Sequence, residues 1–234
     1  MKRKRKNIKR PKKKKGSDYL KLLGISGSGR PQGITAEVVQ EILQASGVEA
    51  EYISLSGKNI NGCIGCLKCA EDNICKQEDD WNEIGKKMLG AETLVFGAPN
   101  YYGTINALAQ ACLERAFCFR HREKFLLSGK IGVAVGIDGW DKKSNQSPVI
   151  EYIQMIMRSN MMAIAGSVYA EGYSQCYTCG FGEDCAAGNV VSEHGYLEEI
   201  LEGHCPPRLE GQKEALFQAQ KTGKLLGTML TKGG

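Results

Sequence analysis

Apolar residues in this chain form short unbroken runs, separated by stretches in which they recur at helical spacing. The runs are residues 20–26 (LKLLGIS), 51–55, 93–98 (TLVFGA), 130–137 (KIGVAVGI) and 162–169, and each predicts a buried strand. Between the first two, residues 35–46 (TAEVVQEILQAS) place Val38, Val39, Ile42 and Leu43 on one helical face. Residues 81–89, 106–117 and 147–158 read as further helices, and 210–230 as a closing helix. Strands that alternate with helices make a parallel sheet covered on both faces. The fold class predicted is therefore α/β, a doubly wound five-stranded parallel sheet. In that plan ligands sit outside the carboxyl ends of the strands. Met155, Met157, Met161 and Met162 read as core filling.

Charge changes the picture at one end. The formal net charge is +5 over 234 residues, but residues 1–15 (MKRKRKNIKRPKKKK) hold 11 of the 31 Lys and Arg and no acid. The rest carries 20 basic against 26 acidic residues, a net of −6. Residues 1–17 are predicted to be a basic disordered arm, and 18–230 the folded domain. The arm has no aromatic interleaving, so it reads as a solvated tail and nucleic acid is not an expected partner. No window approaches the run of about 18 apolar residues a membrane span needs. The basic start lacks the apolar core of a secretory signal, and the expected compartment is the cytoplasm. Ten cysteines in such a compartment point to metal or redox chemistry rather than disulfides.

The loop after the first strand is Ser26-Gly-Ser-Gly-Arg-Pro-Gln-Gly-Ile-Thr35. It opens a helix, whose free N–H groups and positive dipole end favour a phosphate. Ser26, Ser28 and Thr35 add hydroxyls there, and Arg30 adds charge. The Gly-Lys-Ser/Thr of a nucleoside-triphosphate loop is absent from this segment. Against the dinucleotide fingerprint G-x-G-x-x-G, Gly33 comes one residue late, and no acid follows the second strand. A mononucleotide phosphate fits better than either.

Cys63-x2-Cys66-x2-Cys69-x5-Cys75 places four thiols within 13 residues. Short x2 spacings let one irregular loop (60–80) wrap several corners of a cubane, and ligation by four cysteines in such a run is the usual [4Fe–4S] arrangement. Structural zinc sites more often use two separated pairs. A second group, Cys176-x2-Cys179-x5-Cys185, lies in a Cys-rich loop over 172–207 and needs a fourth ligand. Cys205 is the first candidate, then His194 and His204, with a second cluster or zinc as the metal; free thiols on a loop are the equal alternative. Cys112 and Cys118 stand apart. His121, between Arg120 and Arg122, reads as solvated basic surface, and no hydrolytic triad or carboxylate pair is legible.

Two segments resemble a known family. Residues 22–35 (LLGISGSGRPQGIT) resemble the phosphate loop of NADPH-dependent FMN reductases and iron–sulfur flavoproteins, G-S-x-R-x-x-S/G-x-T/N. Residues 98–115 (APNYYGTINALAQACLER) resemble their second signature, S-P-x-Y-x-G-x-x-x-x-x-L-K-x-x-x-D-R. The compact cysteine run in 62–80 (GCIGCLKCAEDNICKQEDD) occupies the place of the cluster motif in iron–sulfur flavoproteins. The resemblance implies a flavodoxin-like fold, with FMN held by Ser26, Ser28, Arg30, Ile34 and Thr35 at its phosphate. Pro99, Asn100, Tyr101, Tyr102 and Gly103 would then lie against its ring. It further implies a homodimer or homotetramer, with ferredoxin or NAD(P)H as electron donor. Glu114 stands where the family often has Asp, and residues 138–145 depart from the family's Gly-rich loop. Tyr101 and Tyr102 offer flat faces with polar tips, and Gly103 permits close backbone approach. The expected function is electron transfer to a separate acceptor. The alternatives are an NAD(P)H-dependent FMN or quinone reductase with structural zinc, and a nucleic-acid-associated redox sensor.

Overall fold

The computed structural model describes residues 20–122, 124–139 and 147–232. The predicted arm over 1–17 lies outside the described residues, as do 140–146 of the divergent loop. The elements are β1 (Leu22–Ser26), α1 (Ile34–Ser46), β2 (Ala50–Ser54), α2 (Trp81–Gly90), β3 (Thr93–Tyr101), β4 (Thr104–Ile105) and α3 (Ala107–Arg115). They continue with β5 (Ile131–Asp138), α4 (Pro148–Ser159), β6 (Ala163–Glu171), α5 (Asn189–His194) and α6 (Lys213–Lys232). The sheet runs β2-β1-β3-β5-β6, all parallel, and β4 pairs antiparallel with the far end of β3. Apart from that two-residue ribbon, this is the flavodoxin-like strand order.

Each buried strand sends alternate residues to opposite layers. On β1, Leu23 and Ile25 join the layer with Trp81, Ile84, Phe96 and Ile153, under α2, α3 and α4. Leu22 joins the other layer, with Val38, Val39, Ile42, Val95 and Leu226, under α1 and α6. Both faces are buried, which is why these strands read as continuous apolar runs. In α6, Gly227 lets the helix touch the end of α1: a Cβ there would stand 2.1 Å from the Ser46 carbonyl oxygen. Helix α4 starts where Ser147 accepts from the Ile150 N–H at 3.4 Å, with Pro148 following.

The structure departs from the sequence reading at several elements. Strand β3 runs past Pro99 to Tyr101, because Asn100 and Tyr101 pair with Ile105 and Thr104. A two-residue partner strand leaves no alternation to read. The closing helix begins at Lys213, and Leu209–Gly211 is a separate 3-10 turn. Of the four methionines, Met157 and Met162 are buried, while Met155 and Met161 are exposed. Met155 sits two residues before Met157, which turns it to the other side of α4.

Candidate functional site

The carboxyl ends of β1, β3, β5 and β6 open onto a cleft of about 710 Å³. Ser28, Arg30, Gly33, Ile34 and Thr35 line one side, where α1 begins. Gly33 is the N-cap and brings no side-chain acceptor. The first-turn N–H groups and the positive end of α1 therefore border the cleft. Of the predicted contacts at this loop, Ser26 lies behind the lining: it is fully buried, and its Oγ has no hydrogen-bond partner.

Pro99, Asn100, Tyr101, Tyr102 and Gly103 line a second side. Their turn is tight, with φ of 54° at Tyr102 and 83° at Gly103, and Tyr102 projects fully into solvent. Only glycine takes such a φ without cost, so Tyr102 is held there by its neighbours. The Gly103 N–H donates to Asn100 Oδ1 at 2.8 Å. The Asn100 amide donates to Asp138 Oδ1, and Ser147 Oγ donates to Asp138 Oδ2 at 2.7 Å. Buried Asp138 thus ties this turn to the start of α4.

The rest of the lining carried no sequence signal. Tyr173, Ser174, Gln175 and Asn189 close the cleft opposite Arg30. Arg30 Nη1 donates to the Tyr173 carbonyl at 3.2 Å, and its guanidinium stands 4.7 Å over the Tyr173 ring. Gln175 Nε2 donates to the Tyr101 hydroxyl at 3.4 Å. These partners are 143 and 74 residues apart, so only the fold brings them together.

Cys63, Cys66, Cys69 and Cys75 all line one small hollow of about 30 Å³ in the loop after β2. Gly65 and Leu67 take left-handed φ of 64° and 57°, which winds the chain tightly between the thiols. Burial pushes the Cys69 thiol up, and the nearby Cys75, Cys63 and Cys66 push it further. Cys63 and Cys66 are exposed, Cys69 and Cys75 half-buried.

Two side chains reach these thiols from outside the loop. Arg115 Nε donates to Cys75 Sγ at 3.1 Å. His121 Nε2 lies 3.0 Å from Cys69 Sγ. The reading of His121 as solvated surface is therefore corrected: Ala116–Arg120 forms a 3-10 turn after α3 that delivers its ring to the cysteine loop. Arg115 is 1% exposed and forms a two-point ion pair with Asp79, at 2.7 and 3.1 Å. Its Nη1 also donates to the Asn61 carbonyl at 2.9 Å. Burial alone would push the Asp79 carboxyl up, but Arg115 and the Asn61 and Trp81 N–H groups hold it below the usual carboxylate range.

The second cysteine group is spread around the start of α5. Cys176 Sγ accepts from the Asn189 N–H at 3.4 Å, and that bond, with Ser174, lowers its thiol's pKa. Cys185 Sγ would lie 3.5 Å from a Cβ on the adjoining Gly188. Cys205 and Cys176 both bear on the Tyr177 hydroxyl, which donates to Glu193 at 2.8 Å and lies 3.1 Å from His194 Nε2. Cys179 is exposed. Among the described residues no three His, Cys, Asp or Glu side chains are gathered as a single-ion site. Cys112 and Cys118 are buried, which pushes both thiols up to about 12. No helix among the described residues is long and apolar enough to cross a membrane.

Strand order and a cleft at the switch point between β1 and β3 define a flavodoxin-like α/β protein. The chain belongs to the NADPH-dependent FMN reductase family, whose model matches residues 20–175, and it is akin there to the iron–sulfur flavoproteins. It is 37% identical over 150 residues to an iron–sulfur flavoprotein of Methanocaldococcus jannaschii, covering 63% of this chain and 76% of that one. To an iron–sulfur flavoprotein of Methanosarcina thermophila it is 29% identical over 150 residues, 63% and 78% of the two chains. The fold matches the Trp repressor binding protein from Bacillus subtilis with a TM-score of 0.57 and 20% identity, over 86% of this chain and 98% of that chain. This chain is thus a flavin-dependent oxidoreductase.

Proposed function

We propose that this protein transfers electrons between FMN in the 710 Å³ cleft and a [4Fe–4S] cluster on Cys63, Cys66, Cys69 and Cys75. Ferredoxin or NAD(P)H is the donor, and the acceptor is a separate molecule. The observation that carries the reading is that all four thiols line one hollow, in a chain of the NADPH-dependent FMN reductase family. A cluster moves one electron at a time and a flavin one or two, so the pair connects one- and two-electron partners.

Four cysteines lining one hollow are the ligand set a cluster takes, and the cleft residues suit FMN. At the phosphate, the uncapped start of α1 offers N–H groups, Ser28 and Thr35 offer hydroxyls, and Arg30 offers charge. Ser26 Oγ, buried and unpartnered, is a further donor one layer back. At the ring, Asp138 and Asn100 hold the turn at 100–103 so that backbone and Tyr101 meet a flat ligand. Tyr173 and Gln175 add a further wall, joined to Arg30 and Tyr101 by hydrogen bonds.

For the second group we propose a structural metal that ties segment 172–207 together, with Cys176, Cys179, Cys185 and Cys205 as ligands. The support is the spacing Cys176-x2-Cys179-x5-Cys185 with Cys205 on one segment, whose buried apolar side chains are Tyr177 and Val190. A homodimer or homotetramer is the proposed assembly, measured by sedimentation.

Anaerobic purification with flavin, iron, sulfide and zinc quantified together tests the reading. FMN, iron and sulfide in the purified protein are expected. FAD in place of FMN would sink the flavin assignment, and zinc without sulfide at the first group would make the chain an NAD(P)H-dependent reductase with a structural metal.

A further inference from the structure

The four thiols of the first group are not equivalent. Cys63 and Cys66 are exposed, and no side-chain donor is directed at them among the described contacts. Cys69 and Cys75 are half-buried, and each is met by a side-chain nitrogen from the same segment outside the loop, Arg115 Nε–H donating to Cys75 and His121 Nε2 standing 3.0 Å from Cys69. That segment is α3 with the 3-10 turn that follows it. It starts beside the flavin cleft, where Asn106 Nδ2 donates to the Gly27 carbonyl at 2.8 Å, and ends at the cysteine loop. One rigid element therefore reaches from one proposed cofactor to the other.

We propose that Arg115 and His121 are positioning residues for the cluster. Their N–H bonds to the thiolates of Cys75 and Cys69 raise its reduction potential. The inference rests on the reading of the first cysteine group as a cluster site. Reduction adds one negative charge to a cluster already carrying four thiolates. Hydrogen bonds to the sulfurs stabilise the more negative state, and they are among the factors that set such potentials.

Arg115 is built for this. Its guanidinium engages Asp79, Asn61 and Cys75 together, so the Nε–H is aimed at Cys75 Sγ by the rest of the fork. A lysine offers one charged tip and no such fork. His121 is fixed differently. Its backbone N–H donates to Asn73 Oδ1 at 2.9 Å, and its ring meets Phe117 edge-on with centroids 5.2 Å apart. Main chain and Phe117 thus place the ring, and its Nε2 serves Cys69.

The test compares the wild-type chain with His121→Phe, His121→Gln and Arg115→Lys. Each is purified anaerobically, with iron and sulfide counted before a redox titration read at the cluster's own absorbance. Phenylalanine keeps the contact with Phe117 and loses the donor, while glutamine keeps an N–H. At full iron content, His121→Phe is expected to shift the one-electron equilibrium about tenfold toward the oxidised state, ~59 mV. Arg115→Lys should move it the same way, and His121→Gln less than half as far. A merely structural role would leave the potential in place, so wild-type potentials in both His121→Phe and Arg115→Lys, at full iron, overturn the proposal. Absence of iron and sulfide from the wild-type chain overturns it too, and is distinguishable because the cluster reading fails in the same measurement.

Discussion

Replacing Asp79 with Asn removes the countercharge of a buried cation. The side chains of Arg115 and Asp79 are 0% and 1% exposed, and two bonds of 2.7 and 3.1 Å join them. Breaking one partner of a buried pair costs about 3–5 kcal/mol, because the remaining charge is left without compensation. The lower end applies here. The pair lies beneath a loop whose residues 63–68 are all exposed, so water reaches Arg115 after modest relaxation. About 3 kcal/mol corresponds to more than a hundredfold in the folding equilibrium. For a chain of this size it lowers the melting temperature by about 6–12 °C. Urea unfolding of cofactor-free protein at pH 7, followed by tryptophan emission, measures it, since Trp81 stacks on Phe119 at 5.4 Å and its ring lies 5.0 Å from the Arg115 guanidinium. The double variant Arg115→Met/Asp79→Leu replaces the pair with apolar bulk and should recover most of the loss. A loss under about 1 kcal/mol for Asp79→Asn, or a double variant as unstable as the single, refutes the reasoning.

The same pair fixes a pH dependence. The folded Asp79 carboxyl titrates below its unfolded value of about 3.9, so its stabilisation is present above that pH and lost as pH falls through the folded value. The gap in stability between wild type and Asp79→Asn should therefore narrow below about pH 4, and a gap independent of pH would count against the ion pair. Ser28→Ala and Thr35→Val should each weaken FMN binding about ten- to hundredfold, from roughly 1.5–3 kcal/mol per lost bond to a charged group, with unchanged affinity in both placing the phosphate elsewhere. Cys66→Ala should lose iron and sulfide yet keep FMN, because the cleft lining comes from other strand ends; retention of all the iron would remove Cys66 as a ligand. Cys179→Ala should lose a metal that Cys66→Ala keeps, and equal metal content in Cys179→Ala and wild type would refute the structural-metal reading of the second group.

Local signals carried the fold class and the chemistry near each signature. Residues 20–26, 93–98 and 130–137 are apolar on both faces because the sheet is covered on both faces, and that composition marks central parallel strands without further help. The loop at 26–35 and the segment at 98–103 were legible as candidate cleft linings because glycine, hydroxyls and aromatics stand there at adjacent positions. Nine of the ten residues expected around the flavin line the cleft, and Ser26 sits one layer behind them.

What the sequence determined by itself was everything encoded within a few residues: the strands, the start of α1, the two signatures and the spacing of Cys63, Cys66, Cys69 and Cys75. Tertiary structure alone decided what depends on distant partners. Asp138 holds Asn100 from 38 positions away, Tyr173 receives Arg30 across 143, and His121 reaches Cys69 across 52. His121 carries no local mark of that contact, since a histidine between two arginines looks the same on an open surface or above a thiol. The length of α3, the turn after it and the contacts with Asn73 and Phe117 set where its ring arrives. Periodicity and spacing report a residue's neighbours along the chain, whereas a site is assembled by the packing of elements whose order in space the chain does not spell out.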